Sequence, residues 1–514
     1  MQTTSSQFDT LSTAPVRPIS YAMRVAWERT FDDTKKFFVL DESLLDGGDM
    51  LAPSDDNPVQ EWDYYTYTNM TDRLVSYETS RSIKFPYSVS SAIASFRLEN
   101  TDDMMTPGSG AYLADYMLPS RPIRMFAGFN GENLPQFVGL TDGMPTIEHK
   151  NKEVSFNATD FLSRIMKLKT PAVIAMQNVR TDEVLDYLFQ AAGLTPSQYS
   201  LAKGKNEIKF VYFDKDTDIG DIILDLMQAE MGNLFMDESG IIRFVPRIQA
   251  NQSAAYTLDD SNIVDISVTD SNGIINVVDI TASIREVQVK QPLWTLSDSY
   301  SDDWVVPASS SKTMWANLDD PALTTTTPTV GTAVSDSYIM ATDLTGASVG
   351  AVTITSDYLF TNSYQFTVAN ANAYPIRVSE AEIWGEPAKI VDVINYEKRD
   401  TDSVDKYEEQ KLSIENNYLQ SVGACDSLAL TILDSYSEYA GDIEITIKGT
   451  PSLQLNDVLE VTKDTFTGDY KVKSITNTII AGQFRQKILA TKYTPHSWFT
   501  LEESLLDGTD VLTP

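Results

Sequence analysis

The sequence predicts a mainly β protein with α+β parts: two β-barrels, a helical α+β domain between them and a small inserted β-sandwich. Three observations lead to this prediction. Short apolar runs alternate with turn residues on either side of a helical stretch. A segment rich in Ser, Thr and Asp interrupts the second strand-rich part. The chain of 514 residues is also longer than one ordinary core, so three or four domains are expected.

The first predicted barrel covers residues 20–168 and follows an N-terminal arm at residues 1–19. Turn-forming dipeptides such as Pro107-Gly108 and Asp142-Gly143 separate its apolar runs. The predicted strands lie at residues 83–85, 92–98, 123–126, 137–140 and 154–157.

The helical domain is expected at residues 169–254, where the apolar spacing changes to that of helices. One helix should begin with Thr181 as its N-cap and stop at Gly193. A second should begin near Asp218 and stop at Gly232. A hairpin at residues 234–244 follows.

The second barrel is expected at residues 255–290 together with 386–496, and it includes a helix at about 424–439. Ile443, Ile445 and Ile447 alternate with polar residues, which is typical of a strand with one buried face. The inserted β-domain takes residues 291–385 and should carry a flexible threonine-rich loop at 322–329.

Composition excludes several classes of function. The 73 acids against 39 bases give a net charge of −34, which argues against sequence-specific nucleic-acid binding. A single cysteine, Cys425, excludes an intrachain disulfide, and we expect it to be buried. Only His149 and His496 are present, so zinc sites and histidine-dependent triads lack ligands or bases. We predict no catalytic residues, no metal, no cofactor and no membrane span.

An aspartate run resembles the start of a calcium loop but lacks its later positions. Asp214, Asp216 and Asp218 have the opening spacing, whereas Ile219 stands where the glycine belongs and Asp225 where the glutamate belongs. We therefore predict that Asp218 caps the second helix.

One seventeen-residue phrase occurs twice, at residues 37–53 and 498–514, with eleven identical positions. Its apolar residues should not be left in water at a chain end. Each copy can dock on its own chain or grip a neighbouring subunit, and both alternatives stay open. The candidate docking residues are Phe37, Phe38, Leu40, Leu44, Leu45, Leu51, Trp498, Phe499, Leu501, Leu505, Leu506 and Leu512.

Several stretches taken together resemble the tail-hub, or baseplate-hub, proteins of tailed bacteriophages, which are related to the N-terminal part of tail-tip proteins. They include SVSSAIASFRLENTDD (88–103), TDEVLDYLFQAAGL (181–194) and the long stretch at 441–495, in the order found in that family. The resemblance covers most of the chain outside the insert.

The resemblance implies a structural virion protein at the distal end of the tail, made in the bacterial host cytoplasm. It implies a homotrimer whose six hub-type barrels form a pseudo-sixfold ring around the DNA channel. The implied partners are the distal tail ring, the tape measure protein and tip or fibre proteins. The duplicated phrase would then supply six equivalent docking segments, two from each chain.

A rival prediction is a carbohydrate-binding minor tail protein that recognises the host surface. Its candidate sugar platforms are aromatic residues of the insert: Trp294, Trp304, Trp315, Tyr358, Tyr364, Tyr374 and Trp384. Aromatic residues of a small β-domain more often belong to its core.

Overall fold

The computed structural model describes residues 2–14, 17–28, 65–84, 86–170, 175–213, 216–247, 249, 252–269, 273–296, 302–331, 335–439, 441–463, 465–480, 482–493, 498–499 and 511–512. The six helices of this part are α1 Ser6–Thr13, α2 Leu162–Ile165, α3 Thr181–Ala191, α4 Ile219–Glu230, α5 Thr401–Tyr407 and α6 Val422–Tyr436.

Strands dominate the fold, which confirms the predicted mainly β class. They are β1 Ile19–Val25, β2 Thr68–Asn69, β3 Leu74–Ser82, β4 Ser88–Ser90, β5 Ile93–Glu99, β6 Pro122–Phe129, β7 Glu132–Glu148, β8 Glu153–Thr159, β9 Met176–Arg180, β10 Tyr199–Leu201, β11 Glu207–Val211, β12 Asn233–Met236, β13 Ile242–Val245, β14 Tyr256–Leu258, β15 Ile263–Thr269, β16 Val277–Val287, β17 Gln291–Leu296, β18 Val305–Val306, β19 Ser310–Asn317, β20 Ala322–Thr325, β21 Thr329–Val330, β22 Tyr338–Asp343, β23 Val352–Phe360, β24 Ser363–Asn370, β25 Ile376–Arg399, β26 Lys411–Asn416, β27 Asp442–Lys448, β28 Val458–Lys463, β29 Phe466–Ile480, β30 Gln483–Lys492, β31 Trp498–Phe499 and β32 Val511–Leu512.

Thirteen strands from both ends of the chain form one sheet. Its path is β15-β27-β30-β29-β3-β5-β8-β7-β6-β1-β2, with β28 and β14 added beside β29. Within the described residues this path has two ends, so the strand pairing does not close into two separate barrels as the sequence predicted. The reason is that β29 continues past its hairpin and pairs with β3.

Each half of the sheet has its own apolar core. Met23, Phe96 and Phe156 belong to the core of the N-terminal half, and Ile445, Leu459 and Ile488 to that of the C-terminal half. We call these halves unit one (β1–β3 and β5–β8) and unit two (β14, β15 and β27–β30).

The helical part of the chain packs α3 and α4 around a third core. The predicted hairpin is present as β12 and β13, and β4, which lies between β3 and β5 in the chain, joins the same sheet by parallel pairing with β12. Thr181 is the first helical residue rather than the N-cap, because Arg180 has the extended cap conformation and its backbone N–H donates to Glu183 at 2.8 Å. Helix α4 ends at Met231, which has a left-handed φ of 53°.

Two further sheets lie in the excursion between β15 and β27. The long strand β25 pairs with β16 near its C-terminal end and with insert strands near its N-terminal end. Helix α6 covers the β16, β25 and β26 sheet, where Cys425 is buried as predicted. The remaining insert strands face a three-stranded sheet, β19-β24-β23, across a shared core.

Two local predictions are wrong. Residues 83 and 84 lie outside any strand, because β3 ends at Ser82 and the strand instead occupies the more polar stretch before it. Part of the predicted threonine-rich loop is strand β20, which pairs with β25 and buries Ala322. Threonine is β-branched and fits such a pleated surface well.

Candidate channel face and assembly edges

Units one and two have the same strand topology. In chain order, β1, β3, β5, β6, β7 and β8 correspond to β14, β15, β27, β28, β29 and β30. Five pairings of unit one, β3-β5, β5-β8, β8-β7, β7-β6 and β6-β1, recur between the corresponding strands of unit two, whereas the β1-β2 pairing has no counterpart in its described strands. One difference is that β1 runs antiparallel to β6 whereas β14 runs parallel to β28.

A backbone seam joins the two units. Strands β29 and β3 pair antiparallel from Ser474 opposite Ser82 to Ile480 opposite Ser76. Behind the seam, the buried Asn477 side chain donates to Gln136 at 3.0 Å and accepts from Gln486 at 2.9 Å. Buried polar groups cost free energy when they are unpaired, so this chain of amides favours the observed register.

A buried ion pair connects the helical domain to the seam. Arg81 of β3 pairs with Glu238 from the turn between β12 and β13, and both side chains are almost fully buried. Glu238 also accepts from Gln454 at 2.7 Å, which links unit one, the helical domain and unit two. Burial lowers the pKa of Arg81 to about 10, so it stays charged at neutral pH. Lys473 and Asp442 form a second buried pair at 3.1 Å within unit two.

The N-terminal arm crosses both units. The Gln2 side chain donates to the Pro135 carbonyl of unit one at 3.0 Å, and its backbone N–H donates to the Ser452 carbonyl of unit two at 2.8 Å. Phe8 of α1 is buried with its ring 4.9 Å from that of Phe129. The arm therefore holds the two units together from the end of the sheet that carries the β6–β7 turn.

The sheet face opposite the two cores is polar and consists mainly of short side chains. Across the seam, its Ser, Thr and Asn residues are Ser76, Ser80, Ser82, Ser95, Thr146, Ser155, Asn157, Thr159, Ser474, Thr476 and Thr478. The β7 bulge at residues 142–146 borders a groove of about 520 Å³ on this face.

Charges on this polar face differ between the units. In unit one, five carboxylates (Glu78, Glu99, Asp142, Glu148 and Glu153) share the face with Arg97 near the seam and with Arg24 and Arg124 farther from it. In unit two, Asp265 and Glu444 share the face with Lys448, Arg485 and Lys487. On the strands beside the seam these residues are seven carboxylates against four cations, an excess of negative charge that opposes the binding of phosphate groups there.

Among the strand edges that have no described partner, two belong to strands of units one and two that correspond to the strands of the seam. Strand β15 pairs only with β27, although Val264 and Val268 leave 51% and 59% of their surface exposed. On β7, residues 142–148 pair with β8 on one side and with no described strand on the other, and Met144 is 60% exposed. Open edges of this kind are available for pairing with another chain.

The insert aromatics divide between core and surface. Tyr364 is buried in the core, while Trp315 and Tyr358 project from the outer face of the β19-β24-β23 sheet on either side of Gln365. The Trp315 ring stacks on Phe360 at 5.7 Å and 21°. Trp294 and Trp304 are half-buried and lie against each other with ring centres 5.5 Å apart. Trp384 is also half-buried, and its indole N–H donates to Glu382. Tyr374 is exposed.

Most of the predicted docking residues lie outside the described residues: Phe37, Phe38, Leu40, Leu44, Leu45, Leu51, Leu501, Leu505 and Leu506. Strands β31 and β32 contain the other three, and they pair in parallel with Trp498 opposite Val511 and Phe499 opposite Leu512. The beginning and end of the second phrase therefore lie side by side.

One member of the aspartate run, Asp218, lies at the predicted N-terminal cap of the second helix. Asp218 occupies the N-cap position of α4, but its carboxylate pairs with Lys169 at 2.8 Å and accepts no capping hydrogen bond. The described residues contain no group of three or more His, Cys, Asp or Glu side chains arranged to hold a metal ion. In the same residues, no helix combines the length and apolar character needed to cross a membrane.

The buried polar residues at the seam were not predicted from the sequence. Arg81 and Asn477 occupy inward positions of alternating strands, where Tyr77 and Ile475 show the apolar residues expected there. A polar residue at such a position is the available sequence signal for a buried network. Its partners, such as Glu238, are distant in the chain and cannot be found from local pattern.

Comparison with solved structures finds similarity to tail proteins, two of them from prophages. Similar structures are a tail protein of prophage MuSo2 from Shewanella oneidensis (9% identity, TM-score 0.43, covering 83% of this chain and 96% of that one) and a tail protein from Neisseria meningitidis (9%, 0.45, 83% and 94%). Another is a prophage tail protein from Listeria monocytogenes (8%, 0.40, 83% and 91%). No family model and no curated protein sequence matches the chain.

Proposed function

We propose that this chain is a structural tail-hub protein of a bacteriophage, three copies of which form a ring with pseudo-sixfold symmetry. The observation that carries the proposal is the duplication: one chain holds two units of identical strand order, fused side by side in one sheet. Three such chains present six similar units, which suits a junction between a sixfold tail and a threefold tip. The resemblance described from the sequence supports the same role.

In this proposal the polar face of the sheet lines the DNA channel. Its short Ser and Thr side chains leave space, and its excess of carboxylates repels the phosphate backbone, so that DNA passes without being retained. The chain has a structural role rather than an enzymatic one. Its partners in the virion are the distal tail ring, the tape measure protein and tip or fibre proteins, at the distal end of the tail.

The two copies of the repeated phrase serve in this proposal as docking segments that grip neighbouring subunits. One copy per unit gives six per ring. The second copy begins soon after β30, the last strand of unit two, and the first lies between β1 and β2 of unit one. The two copies therefore enter from different positions relative to their units, and docking must accommodate that difference.

Mass photometry of the purified full-length chain at micromolar to nanomolar concentration tests the proposal. A trimer supports the ring. A chain that stays monomeric at every concentration contradicts the proposal, because the two units of one chain would then not assemble into a ring.

A second candidate function, binding of host-surface carbohydrate, is favoured by one observation. Trp315 and Tyr358 are 47% and 64% exposed and flank Gln365, and two aromatic faces beside an amide form a surface on which sugar rings can stack. A glycan array probed with the full chain and with Trp315→Ala tests it, with Tyr374→Ala as an exposed aromatic control outside this row. Binding lost only in Trp315→Ala supports this function, whereas no binding by the full chain rejects it.

A further inference from the structure

The strands of the seam, β3 and β29, have counterparts in β15 and β7, and each counterpart has an edge without a described partner. By the correspondence of the units, β15 is the equivalent of β3 and β7 is the equivalent of β29. We propose that β15 of one copy pairs antiparallel with the free edge of β7 in the next copy, with Thr269 opposite Thr146, Val268 opposite Ile147 and Ser267 opposite Glu148. This inference rests on the proposed ring and specifies its interface.

Strands β3 and β15 are equivalent residue by residue. Each has a register shift after its first paired residue, at Val75 in β3 and at Val264 in β15. After the shift, Ser80 pairs with Ile93, the first residue of β5, and Thr269 pairs with Asp442, the first residue of β27. Ser80 and Thr269 therefore occupy the same position in their units.

Strands β7 and β29 share a second detailed feature. The Thr141 carbonyl accepts from the Ser120 N–H at 2.8 Å, and the Thr141 N–H donates to the Arg121 carbonyl at 2.9 Å. At the equivalent place, Val472 makes the same pair of bonds with residues 456 and 457, at 3.0 and 2.9 Å. Beyond this point each strand leaves its hairpin partner, and only β29 has a described strand, β3, along that edge.

The register of the proposed pairing follows from β8 and β30, the corresponding strands that pair with β7 and β29. Leu140 and Lys471 immediately precede these equivalent residues, Thr141 and Val472. Leu140 pairs with Thr159 of β8 and Lys471 pairs with Thr491 of β30, so Thr159 and Thr491 occupy equivalent positions. Four residues earlier, Ser155 and Lys487 pair with Thr146 and Thr476. Thr146 is thus the equivalent of Thr476, which lies opposite Ser80 in the seam, and Ser80 is the equivalent of Thr269.

The side chains brought together by this register are compatible. Val268 projects toward the core side beside buried Ile443, and its 59% exposure is high for such a position. Ile147 packs against the core of unit one and would cover Val268 as a cross-strand apolar pair. Ser267, Thr269, Thr146 and Glu148 would lie on the polar face, which continues that face from one copy to the next.

Paired cysteines test this register directly. Ser267→Cys combined with Glu148→Cys places one thiol on each open edge, at exposed positions that six strands separate within one chain. Directly opposite residues of neighbouring strands have the Cα spacing that a disulfide requires. We expect mild oxidation of the full-length double variant to give a covalent trimer on a non-reducing gel. The native Cys425 is buried and serves as the unchanged background.

Two matched pairs make the experiment decisive. Glu78→Cys with Thr478→Cys is the equivalent pair in the internal seam and should form an intrachain disulfide. Val268→Cys with Glu148→Cys is slipped by one residue, so its thiols face opposite sides and should not cross-link. A trimer by mass photometry without the in-register cross-link, or equal cross-linking of the slipped pair, overturns the strand pairing and leaves the ring intact. A monomeric wild-type chain overturns the ring itself.

Discussion

Arg81 of β3 and Glu238 of the β12–β13 turn form an ion pair in which both side chains are at most 3% exposed. The pair lies where unit one, the helical domain and unit two meet, since Glu238 also binds Gln454. Removing one partner from a buried pair leaves a desolvated charge without compensation. The relative placement of unit one, the helical domain and unit two therefore depends on both members of this pair.

We expect Arg81→Met to lower the free energy of unfolding by about 3–5 kcal/mol, because it leaves the Glu238 carboxylate buried and unpaired. Urea unfolding followed by circular dichroism measures the change. Arg97→Met is the matched control, because Arg97 is half-exposed and lies 3.5 Å from Glu153, where about 0–1 kcal/mol is expected. Equal effects of the two substitutions would contradict a special role for the buried pair.

Asp160 should make stability depend on pH. Burial raises the pKa of this carboxyl group from 3.8 to about 7, although one of its oxygens accepts from the Ala92 N–H at 2.6 Å. The unfolded chain loses the proton near pH 4 and the folded protein near pH 7, so this group destabilises the fold increasingly as pH rises between those values.

Asp160→Asn removes this titration. We expect the variant to gain stability over the wild type as pH rises from 4 to 8, with a gain on the order of 4 kcal/mol at pH 8 relative to pH 4. Thermal unfolding at several pH values measures the difference. A difference that stays constant with pH would show that Asp160 is already ionised in the folded protein.

Charge reversal on the polar face should create DNA retention. We expect Glu78→Lys with Asp142→Lys to bind a fluorescent DNA duplex at low salt, with affinity falling as salt increases, because two repelling carboxylates become phosphate-binding cations. Fluorescence anisotropy measures binding. Asp405→Lys with Glu409→Lys makes the same change in net charge at exposed positions in and just after α5 and serves as the control. Equal binding by both variants would argue against a channel role for the face.

The repeated phrase should contribute to assembly rather than to folding of the single chain. We expect Leu505→Ser with Leu506→Ser to lower the trimer fraction in mass photometry while leaving the unfolding temperature within about 1 °C, as for a surface change. Leu344→Ser, at a half-exposed position of the insert, is the control. A lower unfolding temperature without loss of trimer would place the phrase on its own chain.

Elements that depend on local pattern could be predicted from the sequence. The alternation of Ile443, Ile445 and Ile447 identified β27, and the acidic first turn after Thr181 identified α3 to within one residue. The hairpin of β12 and β13 followed from its central turn. In each case the residues that decide the structure are close together in the chain.

Features that depend on distant pairing could not be predicted. The β3–β29 seam joins residues about 400 positions apart, and its strands show no local mark of which edge they pair with. Strand β3 itself was missed because Ser76, Glu78 and Ser80 face away from the core and Arg81 faces into it, so its apolar alternation is weak. Two strand-rich units were predicted from the sequence, but the matching order of their strands could be recognised only from the pairings in the structure.

Cryo-EM reconstruction of the purified full-length chain tests the central claim most directly. We expect a closed ring of three copies with six similar units around an open channel, in which β15 of each copy adjoins β7 of the next. A monomer, or an assembly whose copies meet through surfaces other than those two units, would contradict it.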